Sequence, residues 1–291
     1  MPIVRYRPLD NGHPRLGWLE DGQIRAFPDD AGYATPRQLL QHSLDEITGV
    51  VRSLRDSTAK SIPLAEVALV APIDAQEVWA AGVTYKRSRD ARMEESSERS
   101  VYDRIYDAER PELFLKGTPR RIVGPGGTIT IRRDSTWDVP EPELTLVINR
   151  HGEVIGYTVG NDVSSRSIEG ENPLYLPQAK IYTGSGALGP VVALPDEIGA
   201  PQSLDIELVI ERDDVAVFEG ATSTAEMHRS LDDLADWLHR GNSFPDGVFL
   251  MTGTGIVPPD DFSLQDGDVV RIAIAGIGTL TNRVAVLNVR T

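Results

Sequence analysis

The stretch Val139-Pro140-Glu141-Pro142-Glu143-Leu144-Thr145-Leu146 places two carboxylates two residues apart at the mouth of an apolar run. On an extended strand, side chains at i and i+2 point to one face, so Glu141 and Glu143 would face the same way. The flanking prolines suit a strand entry or an edge, because proline cannot donate to a ladder. Further on, Asn149-Arg150-His151-Gly152 reads as a turn and Val154 to Val163 as a returning strand. A hairpin centred near His151-Gly152 would carry Asp162 roughly opposite Glu141, and three carboxylates would converge.

Like charges packed that closely cost free energy unless a cation neutralises them, so a divalent ion suits the cluster. All-oxygen ligation selects hard ions, Mg2+ or Mn2+ first and Ca2+ next. On spacing alone, a solvated strand face carrying Glu141 and Glu143, with Asp162 in a turn, explains these residues at least as well.

Outward from this hairpin the chain reads as α+β. Residues 1–70 read as a small N-terminal α/β domain, with short strands around Ile3 to Tyr6 and Leu16 to Leu19. Thr35-Pro36 is a helix start, and Leu44, Ile47, Val50, Val51 and Leu54 recur at helical spacing. Ala71-Pro72-Ile73 marks a boundary, and residues 71–291 form a larger unit. Within it Thr128 to Ile131 is a strand, Leu204 to Ile210 and Val215 to Phe218 form a hairpin, and Val269 to Ala275 and Val284 to Val289 close the chain as strands. A helix capped by Ser223 or Thr224 would present Met227, Leu231, Leu234 and Leu238 on one face and stop at Gly241.

Composition narrows the function classes. The 291 residues include 26 glycines, 20 prolines and 40% apolar residues, which suits a β-rich protein with a sizeable core. With no cysteine, disulfides, thiolate metal sites and a cysteine nucleophile are excluded. A net charge of −15 and the lack of a dense basic run argue against nucleic acid. No signal-like or membrane-length apolar stretch stands out, so a cytoplasmic protein without membrane partners is expected. Only four lysines, Lys60, Lys86, Lys116 and Lys180, stand against 25 arginines. Because a buried lysine can give up its proton and an arginine does not, these lysines are candidates for chemistry.

Five stretches taken in order carry a resemblance. Trp79-Ala80-Ala81-Gly82-Val83-Thr84-Tyr85, Pro111-Glu112-Leu113-Phe114-Leu115-Lys116, Glu141-Pro142-Glu143-Leu144, Gly156 to Arg166 and Thr252-Gly253-Thr254-Gly255 resemble the successive signatures of the fumarylacetoacetate hydrolase superfamily. The resemblance implies a C-terminal mixed β-sandwich roll, a metal held at Glu141, Glu143 and Asp162, and a homodimer or homotetramer. Hydrolytic members carry a water-activating histidine where this chain has Ser88, and an aspartate where it has Ser167. Tyr106 to Glu112 and Glu171 to Tyr182 resemble instead the branch of 2-keto-3-deoxy-D-arabinonate dehydratases.

That resemblance implies β-elimination of water from a small 2-oxo acid, a 2-keto-3-deoxy sugar acid of pentose catabolism, to give 2,5-dioxopentanoate. Lys180 and Glu112 would be the proton-transfer pair, with base and acid interchangeable between them; Glu112 fits a structural ion pair almost as well. Lys116 would orient a substrate carboxylate or a metal ligand, or serve as a structural ion pair. Thr254 would donate to a substrate carboxylate or simply build a turn. Tyr85 and Arg87 would form a lid, with the polar segment Ser88 to Ser100 mobile. The rivals are a metal-dependent C–C hydrolase or decarboxylase of an acylpyruvate or oxaloacetate, and a non-catalytic metal- or ligand-binding module.

Overall fold

A computed structural model describes residues 2–9, 12–28, 32–55, 61–95 and 104–288. Among these residues two open sheets and a small two-stranded one, Asp138–Val139 with Ser164–Ser165, carry an α+β architecture. The large one has twelve strands, whose main path runs Ser61–Pro63, Gln23–Ala26, Arg15–Glu20, Ile3–Pro8, Gly186–Ala193, Val154–Asp162, Pro142–Ile148, Val248–Met251, Glu77–Gly82 and Glu112–Gly117. The second has five, in the order Val215–Ser223, Asp205–Arg212, Val269–Ile274, Gly278–Val286 and Thr128–Ile131. Both are mixed: Val248–Met251 runs parallel to Glu77–Gly82, and Gly278–Val286 parallel to Thr128–Ile131.

The two sheets bury a common core. Ile206, Leu208 and Ile210 alternate inward from one, and join Leu144, Leu146 and Ile148 from the other. A second cluster lies on the large sheet's other face, where Val147 and Phe249 pack with Trp18, Leu40, Ile47 and Val51. Covered on both faces, Pro142–Ile148 is buried at every position. The carboxylates at its entry are thereby held deep in the molecule rather than on a solvated strand face.

The N-terminal segment joins the large sheet directly, Ile3 pairing with Val192, and Arg5 fastens the Ala71-Pro72-Ile73 link by donating to Ala71 O at 3.1 Å. Thr35 and Gln38 form a capping box at Pro36–Leu39, and Leu44–Arg55 buries Ile47, Val51 and Leu54.

The helix expected from Ser223 begins later. Ser223 caps only the single turn Thr224–Glu226, and the α-helix is Leu231–His239, where Ser230 Oγ accepts from Asp233 N. The cause is a competing set of backbone bonds: Met227 bridges to Tyr85, and His228 N donates to Thr84 O at 2.8 Å. Residues so engaged cannot continue a helical ladder. The last strand also starts earlier than its apolar run, at Gly278; Val289 lies outside the described residues. Among the described residues no helix is long and apolar enough to cross a membrane.

Candidate metal and acid–base site

The hairpin has the expected register. Pro142 pairs with Asn161 and Glu143 with Gly160, and Asp162 N donates to Glu141 O at 2.9 Å. Where the prolines interrupt the ladder, Asn161 Oδ1 accepts from Glu141 N at 3.2 Å. Glu141, Glu143 and Asp162 are 3%, 1% and 1% exposed, and one oxygen from each lies within 4.8 Å of the others.

Three buried cations hold two of these carboxylates. Lys180 Nζ lies 2.8 Å from Glu141 Oε2 and 3.2 Å from Asp162 Oδ2, and donates to Ser164 Oγ at 2.6 Å. Arg166 meets Glu141 Oε1 at 2.9 Å, and Lys116 Nζ meets Asp162 Oδ1 at 2.6 Å. Glu143 is served differently, accepting from Gly253 N at 2.6 Å. Burial, reinforced by repulsion from Asp162 and Glu141, pushes the Glu143 carboxyl well above the usual carboxylate range; Gly253 N–H and Lys180 oppose this. Burial lowers the Lys116 ammonium against the pull of Asp162, and burial with Glu143 nearby raises the Tyr85 phenol.

The donor set fits a divalent ion. Glu141, Glu143 and Asp162 bring three carboxylates to one point, and Glu112 and Glu169 stand in the same cleft wall. Glu143, held by a backbone N–H, carries the cost of burial beside Asp162 and Glu141, and a hard dication would relieve it.

Apart from Lys116 and Tyr85, these groups line a narrow cleft of about 20 Å³ together with Glu112, Ser88, Thr254, Phe114, Ala81 and Val83. A larger groove beside Trp237, about 650 Å³, holds none of the converging carboxylates. Glu112 comes from a strand at the end of the sheet and presses against Gly82, where a Cβ would stand 2.1 Å from Glu112 Oε2. Gly253 is likewise required, because a Cβ there would meet Thr84 Oγ1 at 1.9 Å and its φ is +97°. Thr254 sits in the cleft wall, its Oγ1 donating to Ile256 O at 3.2 Å.

Of the other residues singled out in the sequence, Lys116, Tyr85, Arg87 and Lys86 are not part of the cleft wall. Lys116 is fully buried behind it, donating also to Val163 O at 3.0 Å and Lys180 O at 2.5 Å. Tyr85 is 1% exposed and packs on Gly255, while Arg87 and Lys86 are exposed on the helix Lys86–Glu95. Lys60 and residues 96–100 of the polar segment lie outside the described residues. Ser88 is tied to the helix start, donating to Tyr85 O at 2.8 Å, and Ser167 Oγ lies 2.9 Å from Ser135 Oγ.

Arg166 and Glu169 were passed over as site residues by sequence reasoning. Their signal was present: the chain leaves Asp162 into the helix Arg166–Glu171, on which positions three apart share a face.

Comparison with known proteins places this geometry. Residues 77–285 match the family model for the fumarylacetoacetate hydrolase C-terminal region. The chain belongs to the fumarylacetoacetate hydrolase family. It is 48% identical over 264 residues to the probable 2-keto-3-deoxyxylonate dehydratase of Haloferax volcanii, covering 91% of this chain and 89% of that one. It is 45% identical over 281 residues to the 2-dehydro-3-deoxy-D-arabinonate dehydratase of Saccharolobus solfataricus, covering 95% and 91%. A solved structure of 2-keto-3-deoxy-D-arabinonate dehydratase with magnesium and 2,5-dioxopentanoate superposes with a TM-score of 0.83 at 36% identity, covering 99% of this chain and all of that one.

Proposed function

We propose that this protein is a Mg2+-dependent hydro-lyase that removes water from a 2-keto-3-deoxy pentonate to give 2,5-dioxopentanoate. The observation that carries the reading is Lys180 Nζ placed between Glu141 and Asp162 of a buried three-carboxylate cluster, in a cleft with no histidine among the described residues that line it. The dehydratase relatives and the magnesium- and product-bound neighbour support it.

Glu141, Glu143 and Asp162 would hold the ion, which supplies a Lewis-acid centre for negative charge developing at the 2-oxo acid end. Lys180 and Glu112 line the same cleft, so one can take a proton from C3 while the other protonates the C4 hydroxyl. The C3–H electrons form the C3–C4 double bond, the C4–O bond breaks, and water leaves; isomerisation toward C5 yields the aldehyde. Lys180 is the stronger candidate for the base, because ligation of Glu141 and Asp162 would draw on the oxygens that now hold its proton. Arg166 fixes Glu141, Lys116 fixes Asp162, and Thr254 would receive the substrate carboxylate from the cleft wall.

Hydrolysis of a carbon–carbon bond is the weaker reading. Water attack needs a base, and the matching position is Ser88, whose hydroxyl is engaged with Tyr85 backbone atoms. A homodimer or homotetramer in the cytoplasm completes the proposal, on the strength of the family resemblance. Following 2-keto-3-deoxy-D-arabinonate with Mg2+ by proton NMR tests the reaction: an aldehyde resonance should appear, and pyruvate release would instead mark a hydrolase or aldolase.

A further inference from the structure

Val83 is the outlier of the cleft. Its φ is +55°, in the left-handed region that a β-branched side chain rarely enters. The conformation is imposed from both sides. Gly82 is pinned under Glu112, Thr84 Oγ1 donates to Thr252 O at 2.7 Å, and Thr84 O accepts from His228 N at 2.8 Å. Such strain persists only where surrounding structure over-determines it, and it collects at functional sites.

Glycine or asparagine would hold this backbone at less cost, so the valine side chain needs its own reason. Core packing does not supply one. Val83 is 6% exposed yet belongs to neither apolar core cluster; it lines the cleft with Ala81 and Phe114, the apolar part of a wall otherwise rich in charge. A 2-oxo acid bound by its carboxylate and carbonyl at the carboxylate cluster next presents C3, and in a 3-deoxy acid C3 is an apolar methylene.

We propose that Val83 is a specificity-determining residue, held in a left-handed conformation so that its isopropyl group forms the wall against the C3 methylene of the bound 2-oxo acid. A hydroxyl at C3 facing this wall would lose its hydrogen-bond partner, so the same contact disfavours 3-hydroxy acids. This rests on the 2-oxo acid part of the proposed function and not on dehydration itself.

The test compares wild type, Val83→Gly and Val83→Asn, each loaded with Mg2+, by calorimetric titration with oxalate, which has no C3, and with 2-oxobutanoate, which has a C3 methylene. Melting temperature is read in parallel. Both variants should keep the wild-type affinity for oxalate and bind 2-oxobutanoate at least about fivefold more weakly, as expected for losing one to two apolar carbon contacts. Val83→Gly should melt at the same or a higher temperature, since it relieves the backbone. Unchanged affinity for both ligands would overturn the proposal, as would loss of both together with a fall in melting temperature. Wild type that binds both ligands without dehydrating the sugar acid would refute the proposed function and leave the Val83 assignment standing. Wild type that binds neither would refute both.

Discussion

Lys180 and Glu141 share a 2.8 Å charge-assisted hydrogen bond inside the cleft, so the candidate base and a candidate metal ligand belong to one network. Replacing Lys180 by Met should lower turnover by about 10³-fold, within the usual range for loss of a general base or acid. Mg2+ binding should survive, because Arg166 still orients Glu141 and Lys116 still holds Asp162. Calorimetry with Mg2+ beside a turnover assay checks this; turnover near wild type would remove Lys180 from the chemistry.

Lys116 is expected to matter for the fold more than for the substrate. It is fully buried and ties Asp162 to the backbone carbonyls of Val163 and Lys180. Lys116→Met would strip buried Asp162 of its nearer cation and leave it only Lys180 at 3.2 Å, a loss of about 3 kcal/mol. Urea denaturation of the metal-free protein measures it, and a loss under about 1 kcal/mol, the value for an exposed pair, would contradict the assignment.

Glu143 gives a pH dependence of definite sign. Its folded-state pKa is raised, so its contribution to stability is complete below the unfolded carboxylate value and is lost as pH rises toward the raised one. The metal-free protein should therefore lose stability through this window, and Mg2+ should raise the melting temperature more at about pH 8 than at about pH 5. Glu143→Gln should melt higher than wild type without metal at neutral pH and gain little from Mg2+. A variant that melts lower in EDTA would show that the carboxylate is not under strain.

Glu112 should separate from the structural ion pairs by kinetics. Glu112→Gln keeps the shape that faces Gly82 but cannot transfer a proton, so kcat should fall about 10²-fold or more with KM little changed. A rise in KM alone would make Glu112 a binding residue.

The site was legible in the sequence to the extent that local spacing fixes it. Two carboxylates at i and i+2, a turn at Asn149 to Gly152 and an aspartate at the matching distance gave the register, because strand period and hairpin pairing depend on nearby residues. Spacing left a solvated face as good a reading, and the family resemblance favoured the cluster. Arg166 and Glu169 needed the helix that follows Asp162 to be recognised as a wall of the same cleft. Lys116 was noticed, but only the fold shows it behind Asp162 rather than in the cleft. The late start of the Leu231–His239 helix was hidden for the same reason, since its cause is a pairing of Met227 with Tyr85, far away in the chain. Long-range backbone competition leaves no periodicity to read.

The central claim is best tested by one coupled assay. The protein is treated with EDTA, dialysed, and given 2-keto-3-deoxy-D-arabinonate with an NADP-dependent semialdehyde dehydrogenase, with and without added Mg2+. NADPH should form only when Mg2+ is restored, since the aldehyde of 2,5-dioxopentanoate is the coupling enzyme's substrate. NADPH formation that persists in EDTA, or none with Mg2+ bound and the coupling enzyme active, would contradict a metal-dependent dehydratase built on Glu141, Glu143 and Asp162.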